Sequence, residues 1–257
     1  MNEDFEVRSG LEVLVFSPLD GVDAVVTTRA GGVSTAPYDT LNLADHVGDD
    51  RVRVAENRAR LAEAMGVCDD ELVFARQTHG VDVAIVERGG RSAEADVLVT
   101  ADPDLALCIL VADCVPLLVC DPEAQVLALA HAGWRGTAAG AAGAAVRAAL
   151  DLGADAERLV ALVGPRISAE AYQVGPEVEA ALREAGDADA VRPDGSGRFL
   201  ADLGRANARQ LATAGVAAER IFVSSEATDG GRRFFSDRAQ RPCGRFALSA
   251  RLRAGAS

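Results

Sequence analysis

The sequence predicts an α/β (α+β) fold with mixed sheets, and three observations support this prediction. Short runs of apolar and β-branched residues, which are typical of strands, recur along the 257-residue chain. Segments with helical apolar spacing lie between these runs. No repeat of solenoid period is visible, and the one linker-like stretch, 192–198, is typical of a hairpin or surface loop. We therefore expect a single domain over residues 1–257.

The predicted strands extend from the N-terminal region to the end of the chain. In order they are 12–17, 23–29, 71–77, 82–87, 95–100, 106–112, 116–120, 125–131, 158–163, 219–224 and 244–252. Asp113 and Cys114 close the buried strand before them, and Pro116 then interrupts the ladder of hydrogen bonds because Pro has no N–H to donate.

Four helices are predicted between the strands, at 51–66, 137–152, 176–185 and 202–214. The first has one face formed by Val54, Arg58, Leu61, Ala62 and Met65. The other three are rich in Ala. Gly175 followed by Pro176 suits the start of the third helix, because Pro at the first helical position loses no hydrogen bond.

Charge and composition exclude several classes of protein. Lys and Arg total 26 against 39 Asp and Glu, a net charge of −13, and the sequence contains no Lys. An acidic field repels phosphate backbones and no basic stripe is present, so we expect no nucleic-acid partner. The lack of Lys excludes a lysine Schiff base. The five cysteines have no CxxC spacing, which favours reduced thiols over a disulfide framework or a zinc finger.

The sequence also lacks the features of membrane and secreted proteins. The longest apolar run, near 105–119, is interrupted by Asp113 and Pro116 and falls short of the roughly 18 residues typical of a membrane span. The acidic start has no basic or apolar segment of a secretory signal. We expect a cytoplasmic protein with no membrane partner.

Three chemically distinctive residues each follow or close a predicted strand. His79 lies in RQTHG, Cys114 follows Asp113, and His131 lies in AHAGWRGT. Two imidazoles and a thiolate could bind Zn²⁺ with a fourth position open for water or substrate. Alternatively, Cys114 could act as a nucleophile with His131 as its base, oriented by Asp113 or another polar group. The residues alone leave both interpretations open.

Three further residues are candidates for binding substrate. Arg29, in the glycine-rich segment TTRAGGVS, could hold an anion such as phosphate or a carboxylate. Arg135, beside Trp134, could clamp an anion in the same way. Asn42 lies in a polar segment before the first predicted helix and is the third candidate.

Several strings of the sequence together resemble one known family over about residues 20–252. They are TTRAGGVS, TLNLADHVGDD, ENRARLAE, RQTHGVDV, ADCVPLLVCDP, AHAGWRGTAAG, GPRISAEAYQVG, FLADL, FFSDR and CGRF. The family is the laccase-domain, or polyphenol oxidase, family, which includes bacterial purine nucleoside phosphorylases with adenosine deaminase activity and the peptidoglycan editing factor.

The resemblance implies a layered α/β/β/α sandwich, similar to the catalytic domain of cytotoxic necrotizing factors, with His79, Cys114 and His131 as zinc ligands. The sequence departs from the family pattern at Ala169–Ala171, Ala227 and Asp237, where relatives often carry Cys or His. These departures leave the three implied ligands intact.

We therefore expect a zinc-dependent purine nucleoside phosphorylase for adenosine, inosine, guanosine and methylthioadenosine, with adenosine deaminase activity. Arg29 and Arg135 would hold phosphate, and Asp113 would carry a proton. The alternatives are a Cys–His amidase that edits peptidoglycan precursors, a copper-dependent polyphenol oxidase with copper in place of zinc, and a non-catalytic metal-binding or partner-binding module. The expected partners are a small nucleoside and phosphate, and the chain is expected to be a monomer.

Overall fold

The structure is a computed structural model that describes residues 1–87 and 94–253. The strands in these ranges are β1 (Asn2–Arg8), β2 (Leu11–Ser17), β3 (Val22–Thr27), β4 (Leu72–Phe74), β5 (Val83–Ile85), β6 (Val97–Thr100), β7 (Ala106–Val111), β8 (Val115–Asp121), β9 (Val126–Ala132), β10 (Val160–Val163), β11 (Gln173–Val174), β12 (Val191–Pro193), β13 (Phe199–Ala201), β14 (Ile221–Val223) and β15 (Phe246–Leu252). The α-helices are α1 (Arg51–Met65), α2 (Trp134–Ala139), α3 (Ala141–Asp151), α4 (Pro176–Glu184) and α5 (Leu203–Thr213).

These strands form two large mixed sheets and one small antiparallel sheet. The first sheet has the order β1-β2-β3-β15-β7-β4, and only β4 and β7 pair in parallel. The second has the order β14-β10-β8-β9-β6-β5, with parallel pairs at both edges. The third has the order β11-β13-β12. The prediction of an α/β fold with mixed sheets is confirmed.

The two large sheets pack face to face, with helices on their outer sides. The buried cluster between them joins Ile109 of β7 and Leu248 of β15 to Leu118 of β8 and Leu129 of β9. A second cluster packs the outer faces of β8 and β9 against α3 and α5, and a third packs β7 and β15 against α1. All seven residues of β8 and of β9 are buried, because each strand is covered on both faces. The order of layers is α/β/β/α, as expected.

Local signals account for most helix boundaries. The Asp50 side chain accepts a hydrogen bond from the Val52 N–H at the start of α1, and Gly66 ends the helix in the left-handed conformation. The predicted helix 137–152 is wrong in two respects: it starts earlier, at Trp134, and it is broken into α2 and α3. Gly140 causes the break because its φ of 87° is left-handed.

Each predicted strand overlaps an observed strand, but four short or polar strands escape prediction: β1, β11, β12 and β13. β1 is the polar edge of the first sheet, and the other three have only two or three residues. The linker-like stretch 192–198 forms the turn between β12 and β13, as expected for a hairpin. The single domain over 1–257 stays a prediction. None of the helices in the two described ranges has the length and apolar character needed to cross a membrane.

Candidate active site

The structure brings His79, Cys114 and His131 together at one end of the second sheet. Val115 of β8 pairs with Ala132 of β9, so Cys114, just before β8, lies beside the end of the strand that carries His131. The loop between β4 and β5 supplies His79. The potential ligand atoms of the three residues all lie within 4.8 Å of one another. The two imidazole rings meet edge to face, with centroids 4.7 Å apart.

Two of the loops that form this cluster have left-handed backbone at a residue other than Gly. His79 has φ 65° and Asp113 has φ 88°, conformations that cost free energy and need support from neighbours. At Asp113 the carboxylate provides that support. Its oxygens accept hydrogen bonds from Thr228 Oγ1 at 2.6 Å and from the Arg238 N–H at 2.7 Å. Asp113 therefore holds the turn that presents Cys114. Its role as a proton carrier stays a prediction.

The surroundings of Cys114 favour its thiolate. Burial raises the pKa of this thiol, but hydrogen bonds and charge from His131 and His79 outweigh burial and lower the pKa to about 6. Burial alone dominates at Cys108 and Cys120, where it raises the pKa to about 12. Cys114 is thus the thiol among these three that ionises at neutral pH.

His131 is held as the partner of this thiolate. Burial lowers its pKa, whereas the Asp96 carboxylate and Cys114 raise it, with a net rise to about 9. His131 Nδ1 lies 2.8 Å from Asp96 Oδ1. Burial raises the pKa of Asp96. The hydrogen bond to His131 and those from the backbone N–H groups of Gly80 and Thr78 outweigh burial and hold this pKa well below its usual range. Sequence reasoning missed Asp96, whose only local signal is a carboxylate directly before a buried strand.

The donor set fits a borderline transition metal. Two imidazole nitrogens and one thiolate are the ligands that Zn²⁺ and copper accept, and three protein ligands leave a position for water or substrate. His79 is exposed and Cys114 half-buried, so the cluster can be reached from solvent. Because Nδ1 of His131 is paired with Asp96, its Nε2 is the nitrogen left for a metal.

A cleft of about 180 Å³ lies against the cluster and contains charged groups that the sequence predictions did not name as site residues. It is lined by the three cluster residues, by His46, Gln77, Asp237 and Arg245, and by the apolar residues Leu110, Val111 and Ala112. A larger cavity of about 560 Å³ shares His46, Gln77 and Leu110 with it and continues past Arg58 and Phe74. Arg245 is part of the CGRF string, so the sequence did carry a signal for it.

The three residues predicted to bind substrate do not line this cleft. Arg29 Nη1 donates to the Gly231 carbonyl at 2.5 Å and Nη2 to the Asp39 carboxylate at 3.1 Å. Asn42 is fully buried, and its Oδ1 accepts from the Arg245 N–H at 2.9 Å. Arg135 is exposed and lies over the Trp134 ring. Arg29 and Asn42 therefore hold loops together in this structure, and a role for any of the three in binding substrate stays a prediction.

Comparison with known proteins places the chain among proteins of related sequence and fold. A family model described as "Multi-copper polyphenol oxidoreductase laccase" matches residues 23–253. A purine nucleoside phosphorylase of Mycobacterium tuberculosis is 43% identical over 229 residues, covering 87% of this chain and 89% of that protein. The adenosine deaminase RL5, from an unknown prokaryotic organism, is 37% identical over 228 residues, 83% of this chain and 87% of that protein.

A solved structure agrees with this result. The crystal structure of hypothetical protein YfiH from Bacillus licheniformis superposes with a TM-score of 0.92 and 31% identity, covering 97% of this chain and 99% of that one. The sequence and fold comparisons therefore cover nearly the same part of the chain, which includes the cluster and the cleft.

Proposed function

The chain belongs to the family described as multi-copper polyphenol oxidoreductase laccase, and from this premise we propose that it is a zinc-dependent purine nucleoside phosphorylase with adenosine deaminase activity. The observation that carries the proposal is the convergence of His79, Cys114 and His131 beside a cleft that contains a guanidinium. The names of the two relatives supply the substrate class.

His79, Cys114 and His131 would hold the zinc ion. Zn²⁺ bound there would act as a Lewis acid and make a water molecule acidic enough to supply hydroxide near neutral pH, which is the nucleophile that deamination needs. The protein would contribute a half-buried site in which the two rings and the thiolate already face one another. The purine of adenosine, inosine, guanosine or methylthioadenosine would occupy the cleft.

Arg245 is the cation best placed to hold phosphate for phosphorolysis. Its Nη1 donates to the Cys243 and Gly244 carbonyls at 3.1 and 3.0 Å, and its Nη2 approaches the Asp237 carboxylate at 3.3 Å. These contacts, with one from Nη1 to Cys243 Sγ at 3.2 Å, fix the guanidinium at the cleft wall, and within residues 1–87 and 94–253 its Nε–H has no hydrogen-bond partner and is available to a ligand. A fixed cation can orient phosphate and stabilise the charge that develops as the purine departs.

A Cys–His amidase is the second candidate, and one observation favours it. Cys114, His131 and Asp96 form a chain in which a low-pKa thiol contacts an imidazole that a carboxylate orients. This is the arrangement that activates cysteine nucleophiles without a metal. A four-electron copper oxidase has less support, because the described residues contain one cluster of three or more metal-binding side chains.

One experiment separates these candidates. The metal content of protein purified without metal-affinity resin is measured by mass spectrometry, and turnover of adenosine with phosphate is followed by chromatography before and after chelation. One zinc per chain, with release of adenine or inosine that stops on chelation, supports the proposal. Metal-free protein that ignores adenosine contradicts it. Hydrolysis of a muropeptide precursor that survives chelation and stops on thiol alkylation would support the amidase instead.

A further inference from the structure

We infer that Asp96 is the positioning residue of the cluster: one buried carboxylate orients the His131 ring and also holds the turn that presents His79. This inference rests on the metal site of the proposed function and goes beyond it, because it concerns a residue that does not itself contact the metal or the substrate. Asp96 is fully buried and lies directly before β6, the strand that pairs with β9.

The first contact is with the candidate ligand on β9. Asp96 Oδ1 lies 2.8 Å from His131 Nδ1, and the Asp96 carbonyl accepts the His131 backbone N–H, also at 2.8 Å. An ionised carboxylate is only an acceptor, so the ring proton of His131 is placed on Nδ1. With a metal bound, the lone pair of Nε2 would then be directed to the cluster. A carboxylate in this position also makes the imidazole a stronger base toward a metal.

The second set of contacts is with the loop that carries His79. Asp96 accepts hydrogen bonds from the backbone N–H groups of Thr78 at 3.1 Å, His79 at 3.0 Å and Gly80 at 2.7 Å, and from Thr78 Oγ1 at 2.9 Å. Three successive N–H groups that point at one carboxylate require a tight turn. This turn contains the left-handed backbone of His79, with φ 65°.

The two sets of contacts meet on one side chain, so the separation of the two imidazoles depends on Asp96. An Asn in its place offers a single acceptor oxygen, and its NH₂ group would face N–H donors of the turn. With its oxygen at the Oδ1 position the amide would keep the ring and the His79 N–H but lose the donors of Thr78 and Gly80, and in the opposite orientation it would lose the ring. Asp96→Asn should therefore spread the ligands apart while leaving all three of them in the chain.

Asp121 provides a matched control. It is equally buried and also accepts five hydrogen bonds, from the N–H groups of Glu123, Ala124 and Asp155 and from two nitrogens of Arg158. It lies at the opposite end of β8 from Cys114. At about 3.3 Å per residue, the seven residues of β8 place Asp121 roughly 20 Å away. Asp121→Asn removes a comparable carboxylate without touching the cluster.

The test measures zinc affinity by competition with a chromophoric chelator, together with the visible spectrum of the Co²⁺-loaded protein. We expect Asp96→Asn to weaken zinc binding about 10–100-fold and to change the cobalt spectrum. Asp121→Asn should lower the melting temperature but keep the wild-type affinity and spectrum. If Asp96→Asn keeps the wild-type affinity and spectrum, this inference is overturned but the proposed metal site is not. Failure of the wild-type protein to bind Zn²⁺ more tightly than Cys114→Ser would overturn the proposed metal site and this inference with it.

A measurement on the wild-type protein keeps the inference testable if Asp96→Asn does not fold. In ¹⁵N-labelled, zinc-loaded protein, NMR should show a slowly exchanging proton on Nδ1 of His131 and no proton on Nε2. A proton on Nε2, or a His131 ring without a protected N–H, would show that Asp96 does not orient the His131 ring and would overturn the inference.

Discussion

Gly133 lies so close to Cys114 that a Cβ atom at position 133 would require a neighbouring side chain to shift. A Cβ atom on Gly133 would lie 3.0 Å from Cys114 Sγ and 3.3 Å from the Cδ2 of His79. The backbone of Gly133 has φ −71°, which any residue can adopt. Glycine is therefore needed here for the space it leaves beside the cluster, and not for an unusual backbone conformation.

Gly133→Ala should accordingly impair the cluster more than the fold. The added methyl must displace Cys114 or His79 by a few tenths of an ångström, and even small misplacements of reacting groups lower activity, by about 100-fold for about 1 Å. We expect zinc affinity to fall at least tenfold with a small change in melting temperature. Gly140→Ala is the control, since φ 87° makes Ala unfavourable there but no atom lies near its Cβ. Equal zinc affinity in the two variants would contradict the argument.

The thiol of Cys114 should react at unusually low pH in metal-free protein. Its pKa of about 6 means that thiolate predominates above pH 6 and is lost below it. The rate of alkylation by iodoacetamide should rise through pH 6 and then level off. His131→Gln removes the imidazole that lowers this pKa, so the midpoint should move to higher pH. A wild-type rate that increases only above pH 8 would show that the imidazoles do not stabilise the thiolate.

Arg245 and Arg29 can be compared directly as phosphate-binding groups. Arg245 lines the cleft, and the loss of a hydrogen bond to a charged group costs about 1.5–3 kcal/mol, or about 10–100-fold in affinity. Arg245→Gln should raise the phosphate KM by this factor with zinc content unchanged. Arg29→Gln should mainly lower the melting temperature, because Arg29 bonds to Gly231 and Asp39. A raised phosphate KM in Arg29→Gln only would assign the role to Arg29 instead.

Asn57 should be needed for stability and not for metal binding. From α1 its side chain accepts the Val33 N–H at 2.8 Å and donates to the Asn42 carbonyl at 2.8 Å, and both atoms would lose their partner in Asn57→Ala. Each buried group left unpaired costs about 1–3 kcal/mol. Chemical denaturation should show this loss, whereas Glu63→Ala, at an exposed position of the same helix, should change stability by about 0.5 kcal/mol or less. A zinc affinity that falls with Asn57→Ala would place the residue in the site.

Phenol oxidation offers a test of the copper alternative. Cu²⁺ binds nitrogen and sulfur ligands more tightly than Zn²⁺, so added copper can replace zinc at His79, Cys114 and His131. We expect oxidase activity to appear only after copper is added and to be absent from the zinc-loaded protein. Phenol oxidation by protein that contains zinc and no copper would contradict this expectation.

The sequence by itself determined the strands around 106–131, the helix at 51–66 and the positions of Cys114 and His131 at strand ends, whereas the predicted strand before His79 ends earlier, at Phe74. These features depend on local signals, namely apolar runs, turn residues and helix caps, which act within a few residues of one another. Very short strands carry little pattern: β11 and β13 escaped prediction, whereas the three-residue β4, β5 and β14 were predicted.

Only the tertiary structure decided which side chains surround the cluster. Asp96 meets His131 through the pairing of β6 with β9, and Arg245 reaches the cleft because β15 lies beside β7 in the first sheet. Strand order and register bring together residues far apart in the chain, and no local pattern encodes them. The hydrogen bonds by which Arg29, Asn42 and Asp113 hold loops together arise in the same way, so these contacts could not be predicted from the sequence.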